Sequence, residues 1–116
     1  MSPLSFLQKI DPTPEQVLHV LDLWPITPVN VELICEKLGI ELNFDSLNKL
    51  THHAKRFQIA SIICYYVKSI MNPNSFVVEL LMPYKIVSKC IGLQVSEVAQ
   101  IFDVNPRAAE IRLMNL

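Results

Sequence analysis

Ala54-Lys55-Arg56-Phe57-Gln58-Ile59-Ala60-Ser61-Ile62-Ile63-Cys64-Tyr65-Tyr66-Val67-Lys68-Ser69-Ile70-Met71 is the most apolar run of the chain. Read as one helix it is apolar on nearly every side, and such a helix belongs at the centre of a domain. Its densest part, Ile59 to Met71, contains Lys68 and falls well short of the roughly 20 residues that a membrane span requires. The reading is therefore a buried central helix, ended by Asn72-Pro73.

Shorter amphipathic helices flank it. Thr13-Pro14-Glu15-Gln16 is a helix start: Thr13 caps, Pro14 suits the first helical position, and Gln16 completes a capping box. Val17, Leu21 and Trp24 then share a face, with Pro25 as the stop. Asn30 caps a second helix whose Val31, Ile34, Cys35 and Leu38 face one way, and Gly39 ends it. Ile40 to Phe44 alternates apolar with polar, the pattern of one short strand. Downstream, Asn74 or Ser75 opens a helix through Leu81 closed by Pro83, and Lys85 to Ile91 forms another closed by Gly92. Val95, Val98, Ala99 and Phe102 mark a further helix, and Asn105-Pro106 opens the last, running towards Leu116. Residues 1–12 read as loosely held.

A chain of 116 residues, 51% of them hydrophobic, makes a single domain (1–116) and buries about two thirds of its unfolded surface. It needs no disulfide or metal to do so. Cys35, Cys64 and Cys90 are far apart and odd in number, each in an apolar helical stretch where a thiol packs as a small hydrophobe. That usage fits a reducing cytoplasm better than secretion. The net charge is −1 with dispersed charges, so no basic stripe offers a nucleic-acid footprint. No charged leader precedes an apolar run, and a signal peptide is not expected. The expected fold class is mainly α: a compact helical domain around a central apolar helix, with at most one short strand or vestigial hairpin.

Several stretches carry a resemblance. Pro28-Val29-Asn30-Val31-Glu32-Leu33-Ile34-Cys35-Glu36-Lys37-Leu38-Gly39-Ile40 is followed by Arg56-Phe57-Gln58-Ile59-Ala60, then by Phe76-Val77-Val78-Glu79-Leu80-Leu81-Met82-Pro83. In that order they resemble the opening helix, the lead-in to the catalytic helix and the Leu-Leu-Met-Pro helix end of the ImmA/IrrE family of small zinc metallopeptidases. Val98 to Asn105, leading to Arg112-Leu113, resembles that family's C-terminal helical pair. The similarity covers residues 28–116, and Glu79 to Pro83 is its most specific piece. It implies a zincin-like remnant.

The departures from that family bear on function. Its members hold zinc with two histidines one helical turn apart, polarise a bound water with an adjacent glutamate, and complete the site with a later carboxylate. Here the two ligand positions are Ser61 and Tyr65, the general-base position is Ile62, and Lys68 to Phe76 contains no acid. Isoleucine cannot accept a proton. The family's small sheet also has little room, since only residues 45–56 separate Phe44 from Phe57. The resemblance thus implies a degenerate member with no catalytic residues, no cofactor and no metal.

Other residues offer chemistry of their own. His52-His53 with Cys64, His19 or Cys90 matches no usual zinc spacing, because adjacent histidines splay apart at a helix start; a solvated pair capping the helix is expected. Cys64 has no visible base to activate it. Ser61, Tyr65 and Tyr66 are expected to make internal hydrogen bonds. Val95–Phe102 and Pro106–Leu116 have helix-turn-helix spacing, but Glu110 balances Arg107 and Arg112, so an ordinary hairpin closing the core is expected instead of direct DNA binding. Trp24, Phe44 and Tyr84 are the candidate contacts for a protein partner.

The expected function is that of a non-catalytic, protein-binding regulator. The resemblance implies a prophage or mobile-element setting, with a helix-turn-helix repressor or related regulator as the protein antagonised by direct binding. The alternatives are a metal-dependent peptidase with relocated ligands, and a toxin–antitoxin or structural subunit that folds with its partner.

Overall fold

Capping chemistry sets the element boundaries. In the computed structural model, which describes residues 1–116, four helices begin with a capping side chain followed directly by proline. They are α1 (Pro3–Ile10), α2 (Pro14–Val20), α6 (Pro73–Leu81) and α9 (Pro106–Met114), capped by Ser2, Thr13, Asn72 and Asn105. Proline lacks only the N–H that a first turn leaves unpaired anyway, while the cap oxygen accepts from N–H groups further along that turn. On α2 the expected capping box is complete: Thr13 accepts from Gln16 N–H at 3.2 Å, and Gln16 Oε1 accepts from Thr13 N–H at 2.8 Å. Between them lie α3 (Val31–Leu38), α4 (Phe44–Leu47), α5 (His52–Tyr66), α7 (Tyr84–Val87) with a 3-10 turn at Ser88–Cys90, and α8 (Val95–Phe102).

The fold is mainly α, and it contains no strand. Ile40 to Phe44, expected as a strand, has no neighbour to pair with. Ile40 is buried, and Asn43 Oδ1 accepts from Ser46 N–H to start the short α4. The loosely held start expected for residues 1–12 is likewise replaced by α1. Leu7 is fully buried, Gln8 Nε2 donates to the Tyr66 carbonyl at 2.8 Å, and Asp11 Oδ1 accepts from Ile70 N–H at 2.8 Å.

The central run is helical but shorter than expected. Lys68 adopts a left-handed conformation (φ 58°) and ends α5 before Ile70 and Met71. Asn72-Pro73, read as a stop, is the start of α6. Nor is α5 buried all round: Arg56, Ile59, Ala60, Ile63 and Cys64 face inward against α3 and α6, while Tyr65 is 78% exposed. The helix α2 also stops early. Asp22 turns left-handed (φ 58°), and Leu23 N–H reaches back to the Leu18 carbonyl at 2.8 Å, a Schellman closure. Trp24 therefore lies past the helix, stacked on His19 at 5.1 Å.

A single contiguous cluster of 28 buried hydrophobic residues draws on every α-helix. The three cysteines belong to it as free thiols. The helices α8 and α9 form the expected hairpin, sealing the core with Val98, Phe102 and Ala109. No helix is long and apolar enough to cross a membrane.

Candidate functional site

Ser61, Ile62 and Tyr65, singled out by the resemblance, are not brought together with any cluster of metal-ligating side chains. Ser61 and Ile62 are half-buried on α5, and Tyr65 points outward with its ring edge-on to Tyr66 at 5.5 Å. The internal hydrogen bonds expected of Ser61, Tyr65 and Tyr66 do not form, and both tyrosine rings stand on the solvent side of the helix, 78% and 40% exposed. Cys64 is buried, and burial pushes its thiol pKa up; Cys35 is pushed up to about 11 by burial and by Glu32. Both shifts disfavour the thiolate, so neither cysteine is poised as a nucleophile.

Two other features stand out. The larger is a groove of about 870 Å³ on the face formed by α6 and α9, with α5 below and the starts of α2 and α7 at its margins. Phe57, Met71, Val78, Met82, Ala108 and Ile111 supply its apolar lining. Ile111 is 46% exposed and Tyr84 54%, so the apolar surface reaches the rim. Every ionic side chain of the groove is already paired. Lys85 Nζ lies 3.0 Å from Glu15 Oε2, and Arg112 holds the Glu79 carboxylate.

That second pair also builds the groove. Glu79 Oε1 accepts from Tyr84 N–H at 2.9 Å, which caps the start of α7. Arg112 donates from Nε (3.2 Å) and Nη2 (3.0 Å) to the Met82 carbonyl, left free where α6 ends. A carboxylate, a helix end and an arginine thus pin α6, α7 and α9 together. Arg112, considered for DNA on spacing, is committed to this joint, and Arg107 to Glu110.

The smaller feature lies at the opposite end of α5 from Tyr65. His52 and His53, the first two residues of the helix, both turn towards Asp103 at the end of α8. His52 Nε2 is 2.6 Å from Oδ2, and His53 Nε2 is 3.3 Å from Oδ1. The expectation that the two rings splay apart is therefore wrong. Asp103 has a left-handed backbone (φ 52°), which swings its carboxylate back over α5 between the two imidazoles. Behind it, buried Arg56 donates to the carbonyls of Phe102 (3.0 Å), Asp103 and Val29, with Nε 3.6 Å from Oδ2. Partial burial raises the Asp103 pKa, but the His52 hydrogen bond, the Arg56 charge and the imidazoles outweigh it. They hold the carboxyl below its usual range.

The three candidate partner contacts do not share a surface. Tyr84 lines the large groove, and Phe44 lines a separate shallow depression beside α3, with Lys55 Nζ 5.6 Å above its ring. Trp24 packs against the core. The lining contributed by α9 was not singled out from the sequence. Its signal is Ala108 and Ile111 at helical spacing beside Arg112. Compared with family models, curated proteins and solved structures, the chain matches none, and nothing in those comparisons links it to the ImmA/IrrE family.

Proposed function

We propose that this chain is a non-catalytic protein-binding regulator that receives the apolar face of a partner helix in the groove between α6 and α9. The observation that carries the reading is a large apolar groove whose ionic side chains are all spent on one another. With no free charge to recognise a phosphate or carboxylate, its complement is an apolar surface, and an amphipathic helix laid in a groove is the common protein form of one. A contiguous core within the single chain favours this over a subunit that folds only upon its partner. The narrower form names a helix-turn-helix repressor of a prophage or mobile element, met in the cytoplasm and antagonised by occupancy. It rests on the resemblance of residues 28–116.

One observation bears on the peptidase alternative with relocated ligands, namely the convergence of His52 and His53 on Asp103. A hydrolytic centre also needs a free general base. Glu32, which lines the adjoining depression, lies 3.7 Å from Lys55. Binding remains the better supported function.

The test is an affinity capture from the native host with the intact mass of the captured protein read directly. Wild type is compared with Ile111→Glu and with Ile70→Glu, a control 86% exposed outside the groove. An intact helix-turn-helix regulator held by wild type and Ile70→Glu is expected. With Ile111→Glu its affinity should fall by at least roughly tenfold, the cost of losing an interface anchor. Equal capture by Ile111→Glu would refute the groove. Recovery of the regulator only as fragments would refute the non-catalytic reading, and an unrelated partner would refute the antirepressor form.

A further inference from the structure

We propose that His52, His53 and Asp103 bind one divalent transition-metal ion, Zn2+ by the nature of the donors, with a coordination position open to solvent. Two imidazole nitrogens and a carboxylate oxygen are a donor set that suits this class of ion over Mg2+ or Ca2+. The three donor atoms all lie within 4.8 Å of one another. A tetrahedral ion with bonds of about 2.0–2.1 Å spaces its donors roughly 3.3 Å apart. His53 Nε2 sits 3.3 Å from Oδ1, while His52 Nε2 lies 2.6 Å from the other oxygen, Oδ2, so one ion needs either both carboxylate oxygens or a shift of His52 towards Oδ1. The His52 side chain is 66% exposed and therefore has room to move.

The carboxylate is held ready for this. Asp103 closes α8 in a left-handed cap, its N–H bonded back to Gln100 at 3.3 Å, and Arg56 grips its carbonyl from behind. Such outer contacts fix a ligand's direction and contribute to metal affinity. Asp103 also stands at the C-terminal end of a helix, the end that favours a cation. Against this, Arg56 is close, and the histidines stand at the N-terminal end of α5. The arginine's charge is spread over three backbone carbonyls, which softens the repulsion without removing it. The expected affinity is therefore in the micromolar range, weaker than a closed structural zinc site. His52 and Asp103 line a depression of about 260 Å³, so a water or a small ligand can reach the remaining position.

The experiment uses the full, tag-free chain, stripped with a chelator and then titrated with Zn2+ by calorimetry and with Co2+ by visible absorption. One ion per chain is expected, with the intense Co2+ bands of a tetrahedral site. His53→Ala and Asp103→Asn should each weaken Zn2+ by at least roughly tenfold. Zn2+ should raise the melting temperature of wild type but not of these variants. Asparagine tolerates the left-handed backbone, so Asp103→Asn tests the carboxylate without forfeiting the cap. The groove variant Ile111→Glu should bind Zn2+ as wild type does, which separates this inference from the proposed function. Absence of stoichiometric binding, or unchanged affinity in both ligand variants, would overturn it.

Discussion

Replacing Arg56 with methionine removes a buried guanidinium while keeping most of its aliphatic stem. The side chain, from a residue only 8% exposed, donates to carbonyls on two sides: Val29, just before α3, and Phe102 and Asp103, at the end of α8. Val29 and Phe102 are themselves buried, so water cannot readily take over those two carbonyls. Each buried polar group left unpaired costs about 1–3 kcal/mol. Asp103 is partly exposed and recovers some of its loss from solvent. The thioether replacing a charge in the core offsets part of the total, because desolvating an ion is itself expensive. The expected net loss is about 2–4 kcal/mol, against a total stability of about 5–15 kcal/mol for a domain.

Urea denaturation measures this directly, as a lower midpoint with an unchanged slope. Arg56→Lys keeps the charge but replaces a planar fork with a single ammonium, which cannot span both sides at once. It should recover about half of the loss. A change below about 1 kcal/mol in Arg56→Met would refute the reasoning, because it would mean that the fold satisfies these carbonyls without the guanidinium.

Two further predictions concern a joint and a thiol. Glu79→Ala removes both the cap on Tyr84 N–H and the partner of Arg112. It should cost about 1–3 kcal/mol in urea denaturation, whereas Arg107→Ala, which breaks an exposed pair, should cost under about 0.5 kcal/mol; equal losses would deny Glu79 its role. Cys35 has its pKa raised to about 11 in the fold, by burial and then by Glu32. The unfolded thiol ionises first, so this contribution to stability is complete below about pH 9 and declines as pH rises towards about 11. Cys35→Ala should flatten that alkaline decline by about 2–3 kcal/mol relative to wild type, as read from urea midpoints across the range, and parallel profiles would contradict it.

What the sequence makes legible here is local chemistry. Thr13-Pro14 and Asn105-Pro106 announce helix starts because cap and proline act within one turn. Ser2-Pro3 and Asn72-Pro73 obey the same rule, and reading the second as a stop overlooks it, since a proline that ends one helix can also begin the next. Left-handed closures at Asp22 and Lys68 are harder to see, because neither is glycine and nothing nearby marks them. They shorten α2 and α5 for reasons of backbone geometry that hydrophobic periodicity does not carry. Alternation over Ile40 to Phe44 fails for the opposite reason. A strand needs a neighbour, and a period of two can equally lead into a capped helical turn.

The sites depend on contacts that local spacing cannot reveal. His52 and Asp103 are 51 residues apart and meet where α8 ends, in a left-handed residue, against the start of α5. A search for ligands along one helix looks instead to Ser61 and Tyr65, where the fold brings nothing together. The run Glu79 to Pro83, the most specific piece of the resemblance, has a structural account that needs no catalytic ancestry. Glu79 caps the next helix, Met82 leaves a free carbonyl, Pro83 ends α6, and Arg112 binds the first two. Any chain that packs two helices and a tight corner against a third has reason to use those residue types. The same joint sets the walls of the groove, so Glu79→Ala should loosen partner capture along with stability. Ile111→Glu, at a residue 46% exposed on the rim, should weaken capture while leaving the stability read from urea denaturation within about 0.5 kcal/mol of wild type. If both variants lost capture only in proportion to lost stability, the groove would be a seam of the fold and not a binding surface.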